Sequence, residues 1–245
     1  MKRFAAFLLD IITVIILAAG VMYIVSVIVD YDGCTSKMEA VYADAEERFQ
    51  TDLGIGESEY MALDEDARAR YDAAAAELNS DPEVMRLYSM VMNLTVMMIS
   101  VSLLISIMTF EFVVPLLLGN GQTIGKKIFG LCVCRADHVR VTPIVMLIRT
   151  LLGKFTIEAM VPVLLLLMIL FGSGGIMGMA VLAAIAVLQV ILLAATKTHS
   201  AIHDLLATTC VVDMASTRIF EDEAALVDYK CRMARYDAEH DRSGG

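Results

Sequence analysis

Three carboxylates stand in or beside apolar stretches of this chain: Asp10 within 4–29, Glu111 within 87–118, and Glu158 just before a long uncharged run. A charge in such a stretch is expensive to bury. It is kept where it binds an ion, relays a proton or holds a partner. Asp10 lies six residues inside Phe4, about 9 Å along a helix rising 1.5 Å per residue. Glu111 lies seven residues before Leu118, on a helix expected to run the other way, so the two carboxylates are expected at one depth. Arg3 sits two turns before Asp10 on the same helix face. Pro115 and Pro162 each follow a glutamate by four residues, Glu111 and Glu158. A helical proline cannot donate to the carbonyl four residues back. Each glutamate is therefore expected to carry a freed carbonyl beside its carboxylate, an all-oxygen pocket suited to a hard cation or a proton relay. The competing expectation is that the prolines only kink their helices and the acids pair with Arg3, Arg149 or Lys154.

Other constellations carry less. Gly121-Gln122-Thr123-Ile124-Gly125-Lys126-Lys127 invites a phosphate-loop reading but fails it. Asn120 stands where the first glycine is needed, Lys127 where Ser or Thr is needed, and no strand precedes. His199 and His203, four apart with Asp204 adjacent, read as a helix tethered by hydrogen bonds rather than a metal site. Cys132-x-Cys134 lacks two further ligands nearby. No metal and no cofactor are expected. With no nucleophile elbow and no nucleotide loop in proper context, neither is an enzyme.

The elements that must position these residues follow from composition. The chain has 245 residues, 58% hydrophobic and 20% charged, with a net charge of −10. Its mean hydropathy is +0.69. Such a chain is neither an evenly patterned soluble domain nor a disordered one, and its acidity argues against nucleic-acid binding. About 20 apolar residues make a spanning helix. The expected spans are Phe4–Val29, Leu87–Leu118, Phe155–Phe171 and Ile176–Ala195, the last two joined by a turn at Gly172-Ser173-Gly174-Gly175. Residues 30–86 hold five basic and sixteen acidic residues, a net of −11. Residues 119–154 hold six basic and one acidic. Basic loops stay inside, so both termini and the basic loop are expected in the cytoplasm and the acidic insert outside.

The expected class is an all-α membrane protein: four transmembrane helices, an interfacial helix and an extracytoplasmic helical hairpin. Its parts are 1–29 (first span), 30–86 (acidic insert), 87–118 (second span), 119–155 (basic loop and interfacial helix), 156–195 (third and fourth spans) and 196–245 (tail). In the insert, Thr35–Asp52 and Asp64–Leu78 are rich in helix formers, with Leu53-Gly54-Ile55-Gly56 the break between them. Asp81-Pro82-Glu83 reads as a helix start. Cys132–Arg135 and Val139–Val141 suggest a short hairpin, and Thr142-Pro143 opens the interfacial helix. The charged tail after Ile219 is expected to be loosely held.

Three stretches together resemble the RDD family of small prokaryotic membrane proteins. Arg3-Phe4-Ala5-Ala6-Phe7-Leu8-Leu9-Asp10 is similar to its R-x-x-A-x-x-x-D start. Gly121 to Leu131 is similar to its G-Q-T-x-G-K-x-x-x-G-L loop. His203-Asp204-Leu205-Leu206-Ala207-Thr208-Thr209-Cys210-Val211-Val212 is similar to its H-D-x-x-A-G-T-x-V-V ending. Arg149 fits a further arginine. Thr208 departs from the glycine of the ending, and His138 from the glycine often seen in the inner hairpin. The resemblance implies Arg3, Asp10 and Asp204 as signature residues. It also implies Gly121, Gln122, Thr123, Gly125, Lys126, Arg149 and His203 as motif residues, in the cytoplasmic membrane of a prokaryote. It implies ion or small-solute transport only in outline.

Two functions follow as expectations. One is a secondary transporter or cation/proton exchanger in which Asp10, Glu111 and Glu158 bind H+ or Na+. The other is a non-transporting accessory protein that binds a partner or lipid through its insert and basic loop. The lipid bilayer is the expected surrounding, and a homo-oligomer the expected way to enclose a pathway.

Overall fold

The computed structural model describes residues 2–170, 175–195 and 201–243. Gly172, Ser173 and Gly174 of the expected turn lie outside them, as does His199. Three helices are long and apolar enough to cross a membrane: Lys2–Ile28, Pro82–Leu118 and Pro143–Met168. A fourth apolar helix, Gly175–Ala195, packs on the end of the third. The all-α membrane class holds, with one small sheet added.

The second and third long helices share an unusual backbone. Each contains a π-helical stretch, Thr109–Val113 in the second and Arg149–Met160 in the third. Each stretch ends just before a Val-Pro pair, Val114-Pro115 and Val161-Pro162. The Val114 N–H bonds the Thr109 carbonyl, and the Val161 N–H bonds the Thr156 carbonyl, both five residues back. Widening the turn is how the backbone accommodates the donor that proline lacks. The helix opened by Pro143 continues through the π stretch to Leu170. The stretch expected as a separate interfacial helix is thus the first part of the third long helix, because Arg149 and Lys154 find buried acidic partners and do not end it.

The chain divides into two compact units, one of residues 20–102 and one of residues 1–19 and 103–245. In the first, helices Tyr31–Phe49 and Glu65–Ser80 pack together around Ala45, Leu78 and Val84. Val41 and Tyr42 join that core, whereas Met61 stays exposed. An extra short helix, Glu57–Ala62, follows the glycine break. Asp64 caps the Glu65 helix by accepting the Ala67 N–H at 2.7 Å. Asp81 accepts the Glu83 N–H at 2.8 Å, with Pro82 in the first turn, as the sequence pattern required.

In the second unit, β1 (Leu131–Arg135) pairs antiparallel with β2 (Thr209–Asp213), Cys134 lying opposite Cys210. The expected hairpin survives only as a bridge between Cys134 and Arg140. The main partner of β1 comes from the end of the chain, because Cys132, Cys134, Cys210 and Val212 bury together. Burial pushes the Cys132 thiol up to about 11, so it stays protonated. The tail is also more ordered than its charge suggested. Glu223–Ser243 is a helix, held by Phe220 against Tyr229 (5.2 Å) and by the Arg218 guanidinium over the Tyr229 ring (4.7 Å).

Thr208 links the short helix Ile202–Leu206 to β2 with a φ of +53°. The turn is therefore kept although glycine is absent, at the steric cost of a Cβ in the left-handed region. Thr208→Gly is expected to stabilise the fold by about 1 kcal/mol, read as a higher melting temperature of the purified chain in detergent. An unchanged or lower melting temperature would show that the threonine side chain holds the turn.

Candidate functional site: a buried charge network

Five charged side chains are almost withdrawn from the surface: Asp10 (5% exposed), Glu111 (2%), Lys126 (7%), Arg149 (1%) and Asp204 (3%). Burial at that level is tolerated only with close partners. The partners come from five segments distant in sequence.

The first long helix supplies Asp10. Its Oδ2 accepts the Thr123 hydroxyl at 2.5 Å, and its Oδ1 accepts the Gly125 N–H at 2.8 Å. The short helix Ile124–Ile128 sets both donors in place, with Thr123 as its N-cap. The close approach needs a glycine. A Cβ at Gly125 would lie 2.8 Å from Asp10 Oδ1 and nearer still to the Ala6 carbonyl. From the same helix, Lys126 Nζ donates to Thr123 Oγ1 (3.1 Å) and stands 3.5 Å from Asp10 Oδ2. Burial pulls the lysine below its ordinary pKa; the Lys154 and Arg149 charges add to this, and Glu111 opposes it. Gln122 positions the loop, donating to the Leu131 carbonyl at 2.8 Å. Gly121 takes a φ of +61° against Val133.

Glu111 occupies the π stretch of the second long helix. Its Oε1 accepts Lys154, while its Oε2 lies 3.7 Å from Lys126 Nζ and 3.6 Å from Arg149 Nη1. Both Glu111 Oε2 and Arg149 Nη1 are buried without a hydrogen-bond partner. Asp10 and Glu111 are brought close together: one ammonium group, Lys126, stands between them. The oxygen pocket expected beside Glu111 is not realised. The Thr150 hydroxyl donates to the Glu111 carbonyl at 2.9 Å and fills the place that Pro115 leaves.

The third long helix presents Arg149, Lys154 and Glu158 at intervals of five and four. A π turn holds more residues than an α turn's 3.6, which brings such spacings onto one face. Arg149 Nε donates to Asp204 Oδ1 at 2.8 Å, and Thr209 adds a hydroxyl to the same oxygen at 3.1 Å. Burial opposes the charge of Asp204, yet Arg149 and then His203 outweigh it and hold the carboxyl well below its usual range. Glu158 engages His203, with Nδ1 at 2.7 Å from Oε1 and the backbone N–H at 3.1 Å. Burial, with Arg149 nearby, lowers the His203 pKa. Gly153 allows this contact, since a Cβ there would meet the Cα and Cβ of His203.

The network thus gathers Asp10, Glu111, Glu158, Asp204, Lys126, Arg149, Lys154 and His203. A cavity of about 500 Å³ lies against it, with Arg3 among its lining residues. Of the signature residues Arg3, Asp10 and Asp204, the two aspartates are bonded into the network. Thr150 and Gly153 had no signal of their own in the sequence, whereas Thr209 stands at the threonine of the H-D-x-x-A-G-T-x-V-V ending. A hydroxyl facing a carbonyl freed by proline in another helix cannot be read from local pattern. Among the described residues, no three His, Cys, Asp or Glu side chains converge to hold a metal ion.

The network joins the three stretches that carry the resemblance, and the comparison with family models agrees. The model of the RDD family matches residues 1–208. No curated protein and no solved structure matches the chain.

Proposed function

The chain belongs to the RDD family, and from that premise we propose that it is a secondary transporter that exchanges protons for a small cation at Glu111. In this reading Gly175–Ala195 is a fourth span, and the protein sits in the cytoplasmic membrane of a prokaryote. Both termini and the basic loop face inward, and the acidic insert faces outward. Pairing of copies encloses the pathway.

One observation carries the proposal. Glu111 is a buried carboxylate on a π turn, faced by Lys126, Arg149 and Lys154, and one of its oxygens has no hydrogen-bond partner. π turns inside helices are frequent at functional sites. A proton or cation arriving at Oε2 neutralises the one acid that, among the described residues, those three bases share. They then repel one another. Lys126, already inclined by burial to lose its proton, is the group that releases one or moves away. Asp10 and Glu158 hold the two ends of the network while its centre changes charge.

The experiment is proton release from the purified chain in weakly buffered detergent on addition of Na+ or Li+. The wild type is expected to acidify the solution with saturation, and Glu111→Gln not to. The alternative accessory role rests on the acidic insert, where a cavity of about 790 Å³ is lined by charged residues including Lys37, Asp44 and Glu77. Deleting residues 35–80 separates the two. Release that persists without the insert supports exchange in the membrane part, and absence of release from both chains contradicts it.

A further inference from the structure

The cavity beside the network has a character that cation exchange does not require. Four basic side chains line it, Arg3, Lys126, Arg149 and Lys154, against two acidic ones, Asp10 and Asp204. The acids are already occupied. Both oxygens of Asp10 accept hydrogen bonds from the Thr123–Gly125 segment. Asp204 Oδ1 accepts both Arg149 and Thr209. The bases have acidic neighbours too: Lys154 pairs with Glu111, Lys126 Nζ stands 3.5 Å from Asp10 Oδ2, and Arg149 Nε donates to Asp204 while its buried Nη1 lies 3.6 Å from Glu111 Oε2 without a hydrogen bond. A guanidinium N–H in a low-dielectric site calls for an acceptor. With four bases to two acids in its lining, the cavity favours an anion.

The rest of the lining says what kind. Phe4 and Phe7 border the same cavity and are themselves exposed on the first long helix. That helix is long and apolar enough to lie in a bilayer. A free inorganic anion has no use for such a wall, whereas a phosphate carrying acyl chains does. Basic pockets between membrane helices at the cytoplasmic side are suited to phosphate headgroups.

We infer that this cavity binds the phosphate of an anionic phospholipid, with the phosphate among Arg3, Arg149 and Lys154 and the acyl chains along Phe4 and Phe7. Glu111 is not part of its lining, but Arg149 and Lys154 also face Glu111, so the site shares two bases with the proposed exchange. It would tie the charge network to the composition of the inner leaflet.

The test uses the purified full chain in detergent, titrated with phosphatidylglycerol, with phosphatidylcholine and with inorganic phosphate, and read by native mass spectrometry and melting temperature. Phosphatidylglycerol is expected to bind and raise the melting temperature where phosphatidylcholine does not. Arg3 lies in the first turn and is exposed, so its replacement tests the site without opening the core. Arg3→Gln is expected to weaken phosphatidylglycerol binding about fivefold, as loss of one basic contact to an anionic lipid implies, and Arg3→Lys to restore it. Lys230→Gln, on the C-terminal helix, is expected to change nothing. Equal binding of the two lipids, or an Arg3→Gln chain that binds phosphatidylglycerol as the wild type does, overturns the inference. So does inorganic phosphate that displaces the lipid at equal concentration, which would assign the site to a soluble anion.

Discussion

Asp204→Asn is expected to lower the unfolding free energy by about 3–5 kcal/mol, the usual cost of removing one partner of a buried ion pair. Arg149 is 1% exposed and cannot move its charge to solvent. Its nearest remaining acid would be Glu111, whose Oε2 is 3.6 Å away and is also shared with Lys126. Asparagine keeps the shape of the site but leaves the guanidinium without a charged acceptor. The effect is read as a lower midpoint of thermal unfolding in detergent. Arg149→Met in the same chain is expected to recover part of the loss, because it removes the orphaned charge. A single variant that melts with the wild type would mean that the pair is not what holds the third long helix to the Ile202–Leu206 helix.

Gly153→Ala is expected to be nearly as damaging, for a steric reason. The new methyl would fall on the backbone and Cβ of His203, which cannot swing away as a long side chain can. Overpacking a tight site costs about 1–3 kcal/mol. Here the shift also stretches two contacts made by the same helix pair, Glu158 with His203 and Arg149 with Asp204. The total is expected to exceed the loss at an ordinary helix–helix contact and to be non-additive with Asp204→Asn. A double variant no less stable than the worse single one would show that shared coupling. Full additivity would contradict it.

The first two long helices and the helices of the acidic insert were legible because hydropathy and charge change abruptly at their ends, whereas the third was expected only from Phe155, since Arg149 and Lys154 read as an edge. Lys126 stands between Asp10 and Glu111, a nearness that rise per residue and opposite helix directions had suggested. Pairings were another matter. Arg149 and Asp204 are both motif residues, yet nothing local says that they meet across 55 positions. β1 was assigned to a nearby hairpin because short-range partners are the ones a pattern can display. Its true partner, β2, lies 78 residues on in register. The π stretches were hidden for a further reason. The prolines predicted a missing donor correctly, but not whether the backbone would leave a carbonyl open or widen to absorb the defect. It widened, and Thr150 took the Glu111 carbonyl. That moves the chemistry from the carbonyl to the second carboxylate oxygen.

The central claim is that a cation arriving at Glu111 displaces a proton from the buried network. Its most direct test is proton movement in sealed vesicles containing the purified chain, driven by an imposed Na+ gradient and followed with an internal pH dye. The wild type is expected to move protons against the Na+ flow. Glu111→Gln, shown by its melting curve to be folded, is expected to give the trace of empty vesicles, and Glu111→Asp to retain part of the signal. Proton movement by Glu111→Gln equal to that of the wild type would contradict the account, as would a wild type indistinguishable from empty vesicles.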